Sequence, residues 1–454
     1  MKTSFKLRTL LLFIVDAIML FAALLLSLMV RNGIEVGASM MGSHLQDFSI
    51  IFVGWLVIFY IAGLYEIGRF EIDFEFSNKL FWAILIGLLC AVVYFYLAPT
   101  IIEPKTTLAF VAIFGYALLW LWRRLFYALS HVLTQRMGVV FVGGDPIVFE
   151  LVSALKGNSR RGYFAEAIYV EGVCAFPVEG LDTYTDAESF VWNAVRRDVK
   201  MVIMADEREL SAQARGALFS LISLPARFVR LPEFYETIFQ KVPIGSINDI
   251  WFLENIDMRA KRPYEAVKRG LDVLLGAIGM VICVPFFIIL VPAIRLESRG
   301  PAIYKQARLG KGGRPFVIRK FRTMREDDND HSPTSVGDSR VTTLGRVLRA
   351  TRLDELPQVF NILRGEMSFI GPRPERPELA EGLEKSIPFY RQRLLVKPGI
   401  TGWDQVSGEY HSPSVDDTYK KLQYDLYYVK HLSPLLDVSI FLKTIMTVLM
   451  RQGR

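Results

Sequence analysis

Asp354 and Glu355 stand side by side in the run Arg352-Leu353-Asp354-Glu355-Leu356-Pro357-Gln358, after a dense cluster of arginines and before Gly371-Pro372-Arg373-Pro374. Adjacent acids can divide labour in phosphoryl chemistry. One carboxylate attacks phosphorus, its neighbour holds Mg²⁺, and guanidinium groups neutralise the phosphate oxygens. The same two residues also suit a plainer role, with Asp354 as a helix N-cap and Glu355 as a first-turn acid set against the helix dipole. Taken alone the pair does not choose between them, so the rest of the chain has to.

Composition says what kind of scaffold must position these acids. A chain of 454 residues has room for two or three domains, and 52% hydrophobic residues with a mean hydropathy of +0.30 are too apolar for an ordinary soluble protein. A membrane protein is the first inference. The net charge of +7 is unevenly spread: residues 295–352 hold 14 Lys and Arg against 6 Asp and Glu. Such a block calls for an anionic counterpart, whether lipid headgroups, nucleotide phosphates or nucleic acid. Cys90, Cys174 and Cys283 are far apart, which points to neither a disulfide framework nor a zinc site and fits a reducing cytosol.

Four apolar segments, residues 10–30, 48–65, 80–98 and 108–129, approach the ~20 residues needed to cross a bilayer. Lys2, Lys6 and Arg8 precede the first, which is longer than a signal-peptide core and lacks a small-residue cleavage pattern, so the amino terminus is expected inside. Arg69 and Lys79 follow the second segment, and Arg123, Arg124 and Arg136 lie at or beyond the end of the fourth, which places those loops on the same side. From Met137 the pattern becomes α/β: residues 138–142 read as a buried strand, Gly143-Gly144-Asp145 as a turn, 147–155 as a helix and 200–204 as a parallel strand. The arrangement resembles a Rossmann-type fold, but Asp145 and Val148 occupy positions where the dinucleotide fingerprint needs glycine. Tyr264 and Lys268 have the spacing of sugar dehydratases and epimerases, without the partner fingerprint, and we set that match aside.

A fifth apolar segment, residues 271–294, contains Pro285 in its middle and Pro292 near its end. A mid-helix proline removes a hydrogen bond and clashes with the preceding turn. Lys261, Arg262, Lys268 and Arg269 lie before the segment and Arg295, Arg299, Lys305 and Arg308 after it, so the positive-inside preference puts both flanks in the cytosol. A helix that bends at Pro285 and returns satisfies both constraints; a straight fifth crossing would place the basic carboxy-terminal region outside. The acid-rich stretch 326–338 reads as a mobile loop. Helical periodicity in 419–431 and 435–450 suits either a headgroup boundary or core packing.

Together these features resemble the bacterial polyprenyl-phosphate sugar-1-phosphate transferases of the monotopic phosphoglycosyl transferase superfamily. The motifs that carry the likeness run from Tyr264 onward. They are Lys268-Arg269-Gly270-Leu271-Asp272, Gly300-Pro301-Ala302-Ile303-Tyr304-Lys305-Gln306-Ala307-Arg308-Leu309-Gly310, Lys320-Phe321-Arg322-Thr323-Met324, the Asp354-Glu355 run, Gly365 through Pro374, and Lys397-Pro398-Gly399-Ile400-Thr401-Gly402-Trp403. The family's bend commonly carries Ser-Pro, whereas Val284 precedes Pro285 here, so the hydroxyl that would satisfy a freed carbonyl is missing.

The resemblance implies a long-form member with three parts. These are a four-helix transmembrane domain over residues 1–135, a degenerate Rossmann-like α/β cytoplasmic domain over 136–260, and a mostly α monotopic catalytic domain over 261–454 with a re-entrant helix at 268–296. It implies a UDP-sugar donor, a polyprenyl (undecaprenyl) phosphate acceptor, membrane lipids as surroundings and Mg²⁺ as cofactor. It also implies the cytoplasmic face of the bacterial inner membrane and the first membrane step of exopolysaccharide, O-antigen or capsule assembly. Asp354 is then the nucleophile and Glu355 the Mg²⁺ ligand; Lys305, Arg308, Arg322, Arg352 and Arg373 are phosphate contacts, with Pro372, Arg373 and Pro374 on the uridine side. The oligomeric state stays open, a homodimer included. An inactive membrane scaffold and a nucleotide-sugar oxidoreductase are the rival readings. Nucleic acid is disfavoured because the basic block flanks a membrane segment, where anionic lipid is the simpler counterpart.

Overall fold

The computed structural model describes residues 2–65, 74–98, 105–133, 137–157, 163–171, 181–197, 199–205, 210–223, 225–325, 338, 340–407 and 414–449. Arg69, Arg136, Cys174 and the acidic stretch 326–337 lie outside the described residues. The chain falls into two compact units, Met1–Leu231 and Pro232–Arg454.

The first unit opens with α1 (Lys2–Asn32), the short α2 (Ile34–Ser39), α3 (Met41–Ile61), α4 (Phe74–Leu97) and α5 (Lys105–Leu133). Leu20, Leu24 and Leu28 recur every fourth residue on α1, so they form one stripe that is wholly buried against Phe48, Phe52, Trp55 and Val111. Polar groups inside this apolar bundle find partners. Arg123 Nη2 meets Asp16 Oδ2 at 2.5 Å, and Ser27 Oγ donates to the Thr107 carbonyl at 2.9 Å.

The unit continues with β1 (Met137–Val142), α6 (Pro146–Gly157), β2 (Tyr163–Tyr169), β3 (Asp182–Tyr184), α7 (Ala187–Arg196), β4 (Met201–Met204), α8 (Ala212–Phe219) and β5 (Arg227–Arg230). All pairings are parallel and the strand order is β3-β2-β1-β4-β5. The central β1 is buried from Gly138 to Val142, the continuous apolar run that a strand covered on both faces requires. After it, Asp145 Oδ1 accepts from Ile147 N at 2.8 Å, so a carboxylate already caps the start of α6, where a bound dinucleotide would set its pyrophosphate.

The second unit holds α9 (Leu231–Phe239), α10 (Asp249–Asn255), α11 (Met258–Glu297), the hairpin β6 (Ile303–Leu309) and β7 (Pro315–Phe321), α12 (Thr343–Ala350), α13 (Val359–Arg364), β8 (Ser368–Ile370), α14 (Pro377–Ser386), β9 (Gly399–Thr401), α15 (Val415–Lys430) and α16 (Pro434–Leu449). Residues after Leu231 that composition groups with the α/β region pack here: Val242, Ile244 and Trp251 share a core with Tyr390, Leu422 and Leu426. Of the two readings of the tail, core packing describes α15, where Leu422, Tyr424, Leu426, Tyr428 and Val429 are buried. On α16, Ile440 is buried while Leu435, Val438 and Phe441 are exposed.

Five helices among the described residues are long and apolar enough to span a bilayer: Leu10–Asn32, Met41–Tyr60, Phe76–Leu97, Thr106–Phe126 and Met258–Glu297. The helical assignment of α11 runs unbroken over 40 residues, through Pro263, Pro285 and Pro292, and starts where Asp257 caps the amides of Arg259 and Ala260. It begins earlier than residue 268 because the basic stretch before the apolar core is helical too. Tyr264 and Lys268, the pair with dehydratase spacing, both reach Asp437 on α16, which Tyr428 Oη also contacts at 2.8 Å. Their spacing serves helix docking.

Candidate active site

Strand alternation sets the floor of the site. Phe316 and Ile318 of β7 point into the core, and Lys320 continues that face, an ammonium where an aliphatic side chain is the rule. Above it, a 3-10 turn spans Leu353–Gln358 after α12. Arg352 enters the turn at φ 58°, a left-handed conformation that costs a β-carbon-bearing residue about 1 kcal/mol. Leu353 and Leu356 pack on Phe321, Leu348 and Ile294. Asp354 and Glu355 are carried under cover with them, at 9% and 8% exposure.

Glu355 is surrounded by cations. Its Oε1 lies 3.0 Å from Lys320 Nζ, 3.2 Å from Arg373 Nη2 and 3.9 Å from Arg352 Nη1. Burial pushes the carboxyl up, but the fields of Arg373 and Lys320 win and hold it at about 2. Asp354 differs. Burial first, and then the charge of Glu355, raise it above the ordinary aspartate value, and its Oδ1 is buried with no hydrogen-bond partner among the described residues. The N-cap role is not taken, because Arg352 holds the cap position and no side-chain cap bond forms. Two neighbouring carboxylates therefore sit in opposite electrostatic states, one locked as an anion and one with an oxygen left over.

Arg373 arrives from the far side. Strands β8 and β9 pair in parallel, and Gly371 sits so close to β9 that a β-carbon there would lie 2.3 Å from the Lys397 carbonyl. Asp272 of α11 anchors β8, accepting from Ser368 Oγ at 3.0 Å and Phe369 N at 3.2 Å. Pro372-Arg373-Pro374 emerges from this junction with both prolines buried and Arg373 half exposed.

The structure thus gathers Asp354, Glu355, Arg352 and Arg373, flanked by Pro372 and Pro374. Four other residues singled out in the sequence do not reach the acids. Arg308 spends its guanidinium on Gln306, the Pro374 carbonyl and Glu375. Arg322 is buried at the end of α11, donating to the Ser298 carbonyl at 2.6 Å and Ser298 Oγ at 2.9 Å. Lys305 is exposed on β6, and Pro285 lies within α11. Lys320 was not among the site candidates, although a lysine on the apolar face of an alternating strand is itself a signal. Asp272 and Arg393 were missed because their partners are distant in sequence.

Among the described residues no group of three or more His, Cys, Asp or Glu gathers as a metal cage. The donor set fits Mg²⁺ all the same. The three cationic contacts of Glu355 fall on Oε1, Asp354 Oδ1 has no partner, and Mg²⁺ takes one or two carboxylates together with phosphate oxygens and water.

Comparison with known proteins places this site in a family. The bacterial sugar transferase profile matches residues 263–451, which include every residue of the site. The UDP-glucose:undecaprenyl-phosphate glucose-1-phosphate transferase of Escherichia coli K12 is 37% identical over 323 residues, 70% of this chain and 68% of that protein. The chain belongs to the bacterial sugar transferase family. A UDP-N-acetylgalactosamine-undecaprenyl-phosphate N-acetylgalactosaminephosphotransferase of Aeromonas hydrophila is 45% identical over 188 residues, and a UDP-glucose:undecaprenyl-phosphate glucose-1-phosphate transferase of Xanthomonas campestris pv. campestris is 41% identical over 192. Each of these two matches covers 41% of this chain and less than half of the relative, 44% and 40% respectively.

Proposed function

We propose that this protein transfers a sugar 1-phosphate from a UDP-sugar to undecaprenyl phosphate, with Asp354 as the nucleophile. The supporting observation is the asymmetry of the acidic pair: Glu355 is held ionised by Arg373 and Lys320, while Asp354 keeps a buried oxygen with no hydrogen-bond partner among the described residues. An Asp354 oxygen attacks the phosphorus that bears the sugar. The bond from that phosphorus to the bridging oxygen breaks, and UMP leaves with the electron pair. A phosphate oxygen of the lipid then attacks the aspartyl phosphosugar, the carboxylate departs, and undecaprenyl diphosphosugar forms. Arg373 and Lys320 are placed to meet the donor's phosphates, and Arg352 stands at the rim. Mg²⁺ held by Glu355 would neutralise phosphate charge and orient the oxygens.

The packing of α11 supports catalysis on one membrane face. Near its start, Arg269 donates to the carbonyls of Ile362 and Leu363 at 2.6 and 2.8 Å; at its end, Glu297 accepts from Leu344 N at 3.0 Å. Contacts at both ends of the apolar stretch to the same unit support a re-entrant helix over a straight crossing. That unit we assign to the cytoplasmic side of the inner membrane, where UDP-sugars occur, and the reaction to the first membrane step of a surface glycan. The relatives' names differ in the sugar, so the sugar is the variable part of this assignment.

Ping-pong kinetics test the reading. UMP is expected before lipid is added, along with a phosphosugar adduct on Asp354 that disappears in Asp354→Asn. Full turnover by that variant overturns the assignment.

A further inference from the structure

The segment that carries Arg373 cannot hold itself in place. Pro372 and Pro374 have no amide hydrogen, so at those positions the carbonyls are the only backbone handles. Four consecutive carbonyls are nonetheless tied down, each by its own donor. Pro372 O accepts from Gly399 N at 3.0 Å, Arg373 O from Arg393 Nη2 at 3.0 Å, Pro374 O from Arg308 Nη1 at 3.1 Å and Glu375 O from Leu309 N at 2.9 Å. Two of the four donors are guanidinium groups.

Arg393 is the more deeply set. It is 7% exposed, its Nη2 lies 2.7 Å from Asp425 Oδ2 on α15, and its Nη1 donates to Tyr390 Oη at 2.8 Å. A buried ion pair is no general asset to stability, since desolvation of both charges offsets most of their attraction. What this pair does is local: Asp425 and Tyr390 orient the guanidinium, and the guanidinium fixes the carbonyl of Arg373, whose own side chain reaches Glu355.

We propose that Arg393, oriented by Asp425, is a positioning residue for sugar-phosphate transfer, fixing the Arg373 backbone so that the Arg373 guanidinium stays on Glu355. This rests on the transferase reading above. Arg393 touches neither acid and acts only through Arg373. Displacing Arg373 by about 1 Å misplaces a charge-assisted contact, a change worth up to about 100-fold in rate.

A double-mutant cycle on the full-length protein in nanodiscs tests this, with kcat and KM for UMP release read separately and the melting temperature measured alongside. Arg393→Met is expected to lower kcat/KM by about 10- to 100-fold in the wild-type background, and by less than about 3-fold once Arg373→Met is present. Arg393→Lys keeps the charge beside Asp425 but loses the two-pronged fork, so it is expected to melt near wild type and still release UMP slowly. If Arg393→Met fails to fold, Arg393→Lys carries the same cycle. Losses that multiply, with Arg393→Lys as active as wild type, overturn this proposal alone. Wild-type protein that releases no UMP from any UDP-sugar overturns it together with the transferase reading.

Discussion

Lys320 Nζ sits 3.0 Å from Glu355 Oε1, so a strand residue on an otherwise apolar face joins Arg373 in keeping a buried glutamate ionised. Burial lowers the affinity of Lys320 itself for its proton, and Glu355 opposes that. The two groups stabilise each other's charge. Glu355 is depressed from 4.5 to about 2, so its stabilisation is fully present above its unfolded value and is lost as pH falls toward about 2. Lys320→Met should destabilise the protein by about 1–3 kcal/mol at neutral pH. The gap in melting temperature from wild type should begin to narrow below about pH 4, where the unfolded carboxylate protonates, and go on shrinking toward about pH 2. A gap that is constant from pH 7 to pH 3 would show that the lysine contributes only packing.

Asp354 responds in the opposite sense. Its folded-state pKa is raised, so the folded protein binds the proton more tightly than the unfolded chain does, and stability is lost as pH rises through the folded value. Asp354→Asn removes that penalty. The variant should lose at least about 10⁴-fold in turnover, as nucleophile removals do. It should also melt higher than wild type at pH 8, with no advantage at pH 3. An asparagine variant that melts below wild type at pH 8 would mean that the carboxylate is part of the fold's support.

Gly371→Ala should fail for steric reasons. The new methyl would sit 2.3 Å from the Lys397 carbonyl and 3.0 Å from Gly399 N, both backbone atoms that cannot swing aside. Separating β8 from β9 should cost about 2–3 kcal/mol and move the Pro372–Pro374 turn that follows. Thermal unfolding and UMP release measure the two effects, and a variant normal in both would contradict the close approach.

The topology of α11 is open to chemical labelling. Arg262 and Arg299 are exposed near its two ends. Single cysteines there, in a background without Cys90, Cys174 and Cys283, should both resist an impermeant maleimide in intact spheroplasts and both react after permeabilisation. Reaction of one alone from outside would signify a straight crossing.

Several features were legible in the sequence because they depend on neighbours along the chain. The apolar runs fixed the spanning helices, since about 20 consecutive apolar residues have few other fates. The unbroken hydrophobicity of Val139 to Val142 announced a strand in a parallel sheet. The Asp354-Glu355 pair stood out through its company of arginines and the Gly371 to Pro374 motif. The family resemblance then favoured a catalytic pair over a helix cap.

What the linear order left undecided was which charge faces which. Lys305, Arg308, Arg322, Arg352 and Arg373 were all candidates for phosphate contact, the last three set apart by family motifs, and only folding sorted them: Arg352 and Arg373 to the acids, Arg308 to the Pro374 carbonyl, Arg322 to the end of α11, Lys305 to an exposed strand edge. Lys320, 35 residues from Glu355, entered the site because β7 and the 3-10 turn share a core through Phe321, Leu353 and Leu356. The residues proposed to carry the chemistry are thus written locally, whereas their protonation and aim come from partners brought close by packing. Electrostatic fields act through space, and distance in space is what the tertiary structure alone sets.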